Sequence, residues 1–187
     1  MVDAQTKILL TGDDLLKMSE EATEGYELIE GELVKMVPTG LEHGNVELGV
    51  GAEIRTWNKQ NKRGRVFVGE IGFYIHGHDR TVRAADVVYI SYERLPADAS
   101  LEGYSRIAPD LVVEVISPGN TAEEMEVKIR EWLDFGVRMV WVVYPKTGRV
   151  HVYTSPDKPT ILEPDARIDG GDVLPGFSIP IATFFED

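Results

Sequence analysis

APDLVVEVISPGNTAEEMEVKIREWLDFGVRMVWVVYP, residues 108–145, is the stretch whose reading decides the fold of this chain. It begins with a nearly continuous apolar run, Leu111 to Ile116, the pattern of a strand covered on both faces. From Thr121 to Phe135 the spacing turns helical. At about 100° per residue Met125, Ile129, Trp132, Leu133 and Phe135 form one apolar arc, while Glu123, Glu124, Glu126, Arg130, Glu131 and Asp134 gather on the wet side. MVWVVYP then ends the stretch as a second unbroken apolar segment, which marks a central strand.

Lys128 is the exception in that helix, because it falls inside the apolar arc. An interior ammonium calls for a counter-charge, and the preceding strand offers one. Asp110, Val112 and Glu114 share one side of it, so Glu114 is a carboxylate in a dry place. Burying it unpaired would cost several kcal/mol or push its pKa up until it is neutral, so a lysine, a metal or both is required as a partner.

Working outward, TGDDLLKMSEE predicts a short helix with Thr11 as N-cap and an acidic first turn. YELIEGELVKM alternates around Glu30 and Gly31 and predicts a tight hairpin. A second helix runs from about Glu42 to Asn61, with Val46, Val50, Ile54 and Trp57 as its buried stripe. His43 lies one turn earlier on that stripe and Glu47 at its edge. Strands follow from Arg65 (RVFVGEIGFYI), Ala85 (ADVVYI) and Asp110, and after MVWVVYP the PKTG turn leads to an antiparallel partner from Arg149 to Tyr153. The C-terminal GGDVLPGFSIPIATFF is expected to fold back on the core through Phe177, Ile179, Ile181, Phe184 and Phe185. The order helix, three strands, helix, strand predicts an α/β fold with a mixed sheet flanked by helices and an N-terminal β-hairpin. No repeat or linker divides it, so one domain is expected over residues 1–187: helix and hairpin 11–37, core 42–153 and C-terminal cap 160–187.

Composition narrows the partners. The chain has 187 residues, 43% of them hydrophobic, and no cysteine, which excludes disulfides and thiolate metal sites, and a cytoplasmic protein is expected. No apolar run approaches the roughly 20 residues of a membrane span, and the start lacks the layout of a signal peptide. A net charge of −13 weighs against nucleic acid as a partner, since phosphate neutralisation supplies most non-specific affinity. The short basic cluster Lys59, Lys62, Arg63 and Arg65 reads as a solvated helix end.

Asp86 shares a face with Val88 and Ile90 near the start of its strand. With Glu114 on an adjacent strand and Lys128 from the next helix, it would form a carboxylate pair beside an ammonium. That grouping suits Mg²⁺, or Mn²⁺, and metal-assisted phosphodiester hydrolysis, with the lysine stabilising developing negative charge. Each residue also has a plainer reading. Asp86 could bound a strand, Glu114 could sit in a structural ion pair, and Lys128 could lay its stem on Trp132 and reach water. His43 could be a hydrogen-bonded core histidine.

The order of elements, the Asp86 strand, Glu114-Val115-Ile116 and Lys128 resemble the PD-(D/E)XK nuclease superfamily. YELIEGELVKM, ADVVYISYERL, APDLVVEVISP, VKIREWLDFGVRMVWVVYP and GGDVLPGF together are similar to the Uma-two family of restriction endonucleases, from about Tyr26 to Phe185. The resemblance implies a restriction-endonuclease-like core, Asp86 as first metal ligand and Glu114 as the acid of the (D/E)XK element. Ala85 stands where the pattern has proline. Ile116 stands where it has lysine, and Lys128 is the expected replacement, as helix-borne lysines take this role in the superfamily. His43 and Glu47 lie on the helix that often adds an acidic or polar group, and Asp110 is a further candidate ligand.

The expected function is thus a Mg²⁺-dependent endonuclease acting on DNA, working as a homo-oligomer, most simply a dimer. Two other classes stay open: a nuclease-like scaffold that binds or oligomerises without cutting, and an enzyme acting on a small phosphorylated molecule, which would fit the acidic surface.

Overall fold

In the computed structural model, which describes residues 9–23, 25–75 and 77–186, the chain forms an eight-stranded mixed sheet with a helix on each face. Two short helices, α1 (Gly12–Leu15) and α2 (Glu20–Thr23), precede the hairpin β1 (Tyr26–Ile29) and β2 (Glu32–Lys35). Thr11 caps α1 in a reciprocal box with Asp14. The hairpin turn has Glu30 at φ 49° and Gly31 at φ 86°, the pair of positive values that a two-residue type I′ turn requires.

Then come α3 (Leu41–Asn61), β3 (Gly64–Tyr74), β4 (Val82–Ser91), β5 (Leu111–Val115), α4 (Ala122–Phe135), β6 (Met139–Tyr144), β7 (Arg149–Tyr153) and β8 (Thr160–Leu162). A small second sheet pairs β9 (Arg167–Asp169) with β10 (Ser178–Pro180). Among the strand pairings of the described residues in the main sheet only β5 with β6 is parallel, because α4 carries the chain back across the sheet between them. α4 starts at a Thr121–Glu124 capping box and stops at Gly136, whose φ of 106° is left-handed.

Alternation along the strands sends side chains to two cores. Val87, Tyr89, Val113, Val115, Trp141 and Val143 meet α3 through Val50, Ile54 and Trp57. Val88, Val112, Val140 and Val142 meet α4 through Met125, Ile129 and Trp132. Phe177, Ile181 and Phe184 close over the α3 side, with Trp141 5.8 Å from Phe177 and 6.2 Å from Phe184 between ring centres. Gly49 permits that closure, since a Cβ there would lie 2.6 Å from the Phe184 carbonyl oxygen.

Two strands differ from the sequence expectation. β4 begins at Val82, so Asp86 lies inside the strand and not near its start. The charge of Arg83 had hidden the first residues, but that side chain is buried and paired. β3 carries a bulge between Val68 and Ile71, with Gly69 and Glu70 both at positive φ, directly across from the Asp86 segment. Bulges re-aim a strand in this way beside functional sites. Among the described residues no helix is long and apolar enough to cross a membrane.

Candidate functional site

The site arises where β4 changes partners. β3 occupies one edge of β4 along its length, so β5 and β1 share the other, β5 at Tyr89 to Val87 and β1 at Val82. Between them the ladder is open, and carboxylates take its place. Val115 N of β5 donates to Asp86 Oδ2 at 2.6 Å, and Ala84 N of β4 donates to Glu27 Oε1 at 2.9 Å. Both acids satisfy backbone amides that would otherwise be unpaired in a mostly buried place.

Glu114, only 4% exposed, projects from β5 towards α4. Its Oε1 accepts from Trp132 Nε1 at 2.8 Å and its Oε2 from Lys128 Nζ at 2.9 Å. Lys128 also lies 3.4 Å from Glu27 Oε1. Glu27 in turn holds Arg83 at 2.8 Å, and Arg83 reaches Glu131 at 2.6 Å. The result is a line of alternating charges, Glu114, Lys128, Glu27, Arg83 and Glu131, running from β5 through α4, the hairpin and β4 back to α4. Ile116, just past the end of the strand that carries Glu114, packs against the α4 core, leaving Lys128 as the ammonium beside this acid.

Burial pushes the Glu114 carboxyl up to about 7, with the nearby Asp86 charge adding to the shift and Lys128 opposing it. Burial works against the Lys128 charge too, but Glu114, Glu27 and Asp86 outweigh it and hold the ammonium above its usual value. Glu27 goes the other way: burial would raise it, yet Lys128 and Arg83 keep it below the ordinary glutamate range.

On the α3 side stands a second group. His43 Nδ1 is 3.0 Å from Ser117 Oγ, and its Nε2 is 3.5 Å from Asp86 Oδ1 and 3.8 Å from Glu47 Oε2. One donor atom from each of His43, Glu47 and Asp86 fits within 4.8 Å of the others, a spacing that can hold a metal ion. Burial raises Glu47, and Asp86 adds to that shift; for His43 the neighbouring acids Asp86 and Glu47 overcome the burial that favours the neutral ring. A divalent cation would relieve this surplus of negative charge. Two carboxylates suit Mg²⁺, and the imidazole shifts the preference towards Mn²⁺.

Of the residues singled out in the sequence, Asp86, Glu114, Lys128 and His43 line one cleft of about 480 Å³, with Glu27 and Arg83 in its wall, and Glu47 stands beside it, 3.8 Å from His43. Among the described residues, His43, Glu47 and Asp86 offer donor atoms close enough to share a metal ion. Glu114 is engaged by Lys128 and Trp132. Asp110 is not brought to the cleft. It lies at the other end of β5, about 13 Å along a strand from Glu114, where Ser91 N donates to it at 2.8 Å and Arg94 and Arg138 pair with it at 3.1 and 3.4 Å. Glu131, placed on the wet side by its helical position, is drawn in by Arg83. The sequence reading missed Glu27 and Arg83; the only signal was a charge at an inward position of each strand, and periodicity alone cannot show that two such charges meet.

The Uma2 family, described as "Putative restriction endonuclease", matches this chain over residues 13–182. A crystal structure of "a putative nuclease belonging to DUF820" from Anabaena variabilis ATCC 29413 is similar to it with a TM-score of 0.75 and 23% identity, covering 94% of this chain and 97% of that one. At that identity the likeness carries the fold. No curated protein matches the chain.

Proposed function

The chain belongs to the Uma2 family, and from that premise we propose that it is a divalent-metal-dependent endonuclease that hydrolyses phosphodiester bonds in DNA. The observation that carries this reading is Lys128, an ammonium held 2.9 Å from Glu114 in the wall of the same cleft that His43 and Asp86 line, with Glu47 close enough to share a metal ion with both.

Asp86, Glu47 and His43 would hold the cation, and the hydrogen bond from Val115 N to Asp86 Oδ2 leaves Oδ1 facing His43. A bound divalent ion would supply Lewis acidity towards a phosphoryl oxygen and lower the pKa of a coordinated water. Lys128 supplies a fixed positive charge to the oxygens that become more negative as the phosphodiester is attacked. Glu114 and Glu27 keep that amine protonated and aimed, so little reorganisation is needed when the charge develops. Trp132 fixes Glu114 through its indole N–H and, with Met125 and Ile129, shields the pair from water. In a dry wall the ammonium acts with more force than it would in bulk solvent.

The test is incubation of purified protein with plasmid and oligonucleotide DNA in Mn²⁺ or Mg²⁺, beside Asp86→Ala and Lys128→Ala. Metal-dependent cleavage lost in both variants supports the reading. Cleavage that survives both substitutions, or metal binding with every DNA left uncut, sinks it.

A further inference from the structure

A second cavity adjoins the catalytic cleft. It lies over the α4 face of the sheet beyond the helix, has a volume of about 560 Å³, and shares Asn120 and Met125 with the cleft as lining residues. That volume is within the roughly 300–1,000 Å³ of small-ligand sites. Its floor is a row of three rings. Register places His151 opposite Val142 and Tyr153 opposite Val140, so both rings share the α4 face with Tyr144. Tyr144 and His151 are 4.4 Å apart between ring centres, and His151 and Tyr153 6.5 Å. All three are half-buried, packed below and open to the cavity.

We infer that this row is a stacking platform for an unpaired nucleobase of the substrate strand, so that the enzyme acts on single-stranded or locally unpaired DNA. The inference rests on the endonuclease reading above and narrows its substrate.

The chemistry of the lining selects the occupant. No lysine or arginine lines the cavity among the described residues, and the Glu126 and Asp157 carboxylates beside it are bridged by Arg130 at 4.0 and 3.2 Å, so the lining offers a phosphate no cation of its own. A flat, uncharged ring is what three aromatic side chains favour, and every base offers a π-face. The rings themselves stay neutral near pH 7, since burial pushes Tyr144 and Tyr153 up and His151 down. Continuity through Asn120 and Met125 lets one strand place a base here and its phosphodiester in the cleft. A duplex keeps its bases stacked on each other and cannot offer one. Base stacking also answers the net charge of −13, because it needs no basic surface.

The experiment measures anisotropy of fluorescein-labelled DNA with Ca²⁺ in place of Mn²⁺, using a short oligothymidylate, an abasic strand of equal length and a blunt duplex. The wild type should bind the oligothymidylate about tenfold or more tighter than either competitor. Tyr153→Leu and Tyr144→Leu should lose about tenfold for the base-bearing strand alone, and Tyr153→Phe should retain the affinity. The abasic comparison needs no variant, so a Leu protein that fails to fold leaves the test intact. Equal affinity for the abasic and base-bearing strands overturns the platform, even if Mn²⁺ then supports cleavage of duplex DNA and the endonuclease reading stands. Base-dependent binding with no cleavage of any DNA supports the platform and overturns that reading instead.

Discussion

Lys128 Nζ of α4 lies 2.9 Å from Glu114 Oε2 of β5, although fourteen residues separate them in the chain. The contact exists because α4 crosses back over the strand that precedes it and turns its apolar arc, with one lysine in it, onto that strand's buried acid. Each residue explains the other: Glu114 could not stay charged in the core alone, and Lys128 would not face inward without it.

Replacing Lys128 should therefore separate charge from shape. Lys128→Met keeps much of the stem volume and removes the ammonium, and cleavage of a labelled oligonucleotide in Mn²⁺ should fall by about 10²–10³-fold, the loss typical of removing one transition-state donor. A smaller change than tenfold would mean that the amine does not meet the reacting phosphate.

Metal affinity should follow the group on α3 and β4. His43→Ala, Glu47→Gln and Asp86→Asn should each weaken Mn²⁺ binding by at least about tenfold in calorimetric titration, and chelation by EDTA should abolish cleavage. Glu114→Gln should affect metal binding less than any of these, since its oxygens are held by Lys128 and Trp132.

Asp110 provides the contrasting control. Asp110→Ala removes the acceptor of Ser91 N and the partner of Arg94 and Arg138. Stability should fall by about 2–3 kcal/mol in urea unfolding, with Mn²⁺ affinity unchanged. A change in metal affinity would return Asp110 to the list of ligands.

The buried line of charges predicts a cost far from the metal. Arg83→Met removes a guanidinium shared by Glu27 and Glu131 and leaves Glu27 with Lys128 and the Ala84 amide, so thermal stability should drop by an amount equivalent to about 3 kcal/mol. The double variant Arg83→Met with Glu27→Gln should recover part of it, as the acid left behind is then neutral.

Stability of the metal-free protein should peak in mildly acid solution. Glu114, Glu47 and His43 have folded values above their unfolded ones, so the native state holds extra protons and the stability they add is lost as pH rises, for Glu114 through about 7. Glu27 is depressed below 4.5, so its contribution is present above that value and lost as pH falls further. The melting temperature should then decline from about pH 5 to pH 8, Glu114→Gln should flatten that decline, and added Mn²⁺ should raise the melting temperature more at pH 8 than at pH 6. A metal-free profile that rises to pH 8 contradicts the arrangement.

Residues 108–145 were enough to predict the strand, helix and strand at the centre, because alternation and helical spacing are local properties that one segment carries by itself. The same local logic marks Lys128 as misplaced and Glu114 as dry, which is why their meeting is legible in the sequence. The partners Glu27 and Arg83 were not legible. They come from a hairpin and a strand whose association depends on an open gap on one edge of β4, and no periodicity within either segment records that gap. Nor could spacing show that Asp86 would turn to His43 and Glu47 while Asp110, on the same face of β5 as Glu114, went to two arginines at the opposite end. Composition and pattern determined which residues are inside and on which element; the ladder ends of the folded sheet decided which carboxylates meet, since hydrogen bonds and ion pairs act over a few ångströms that only tertiary packing sets.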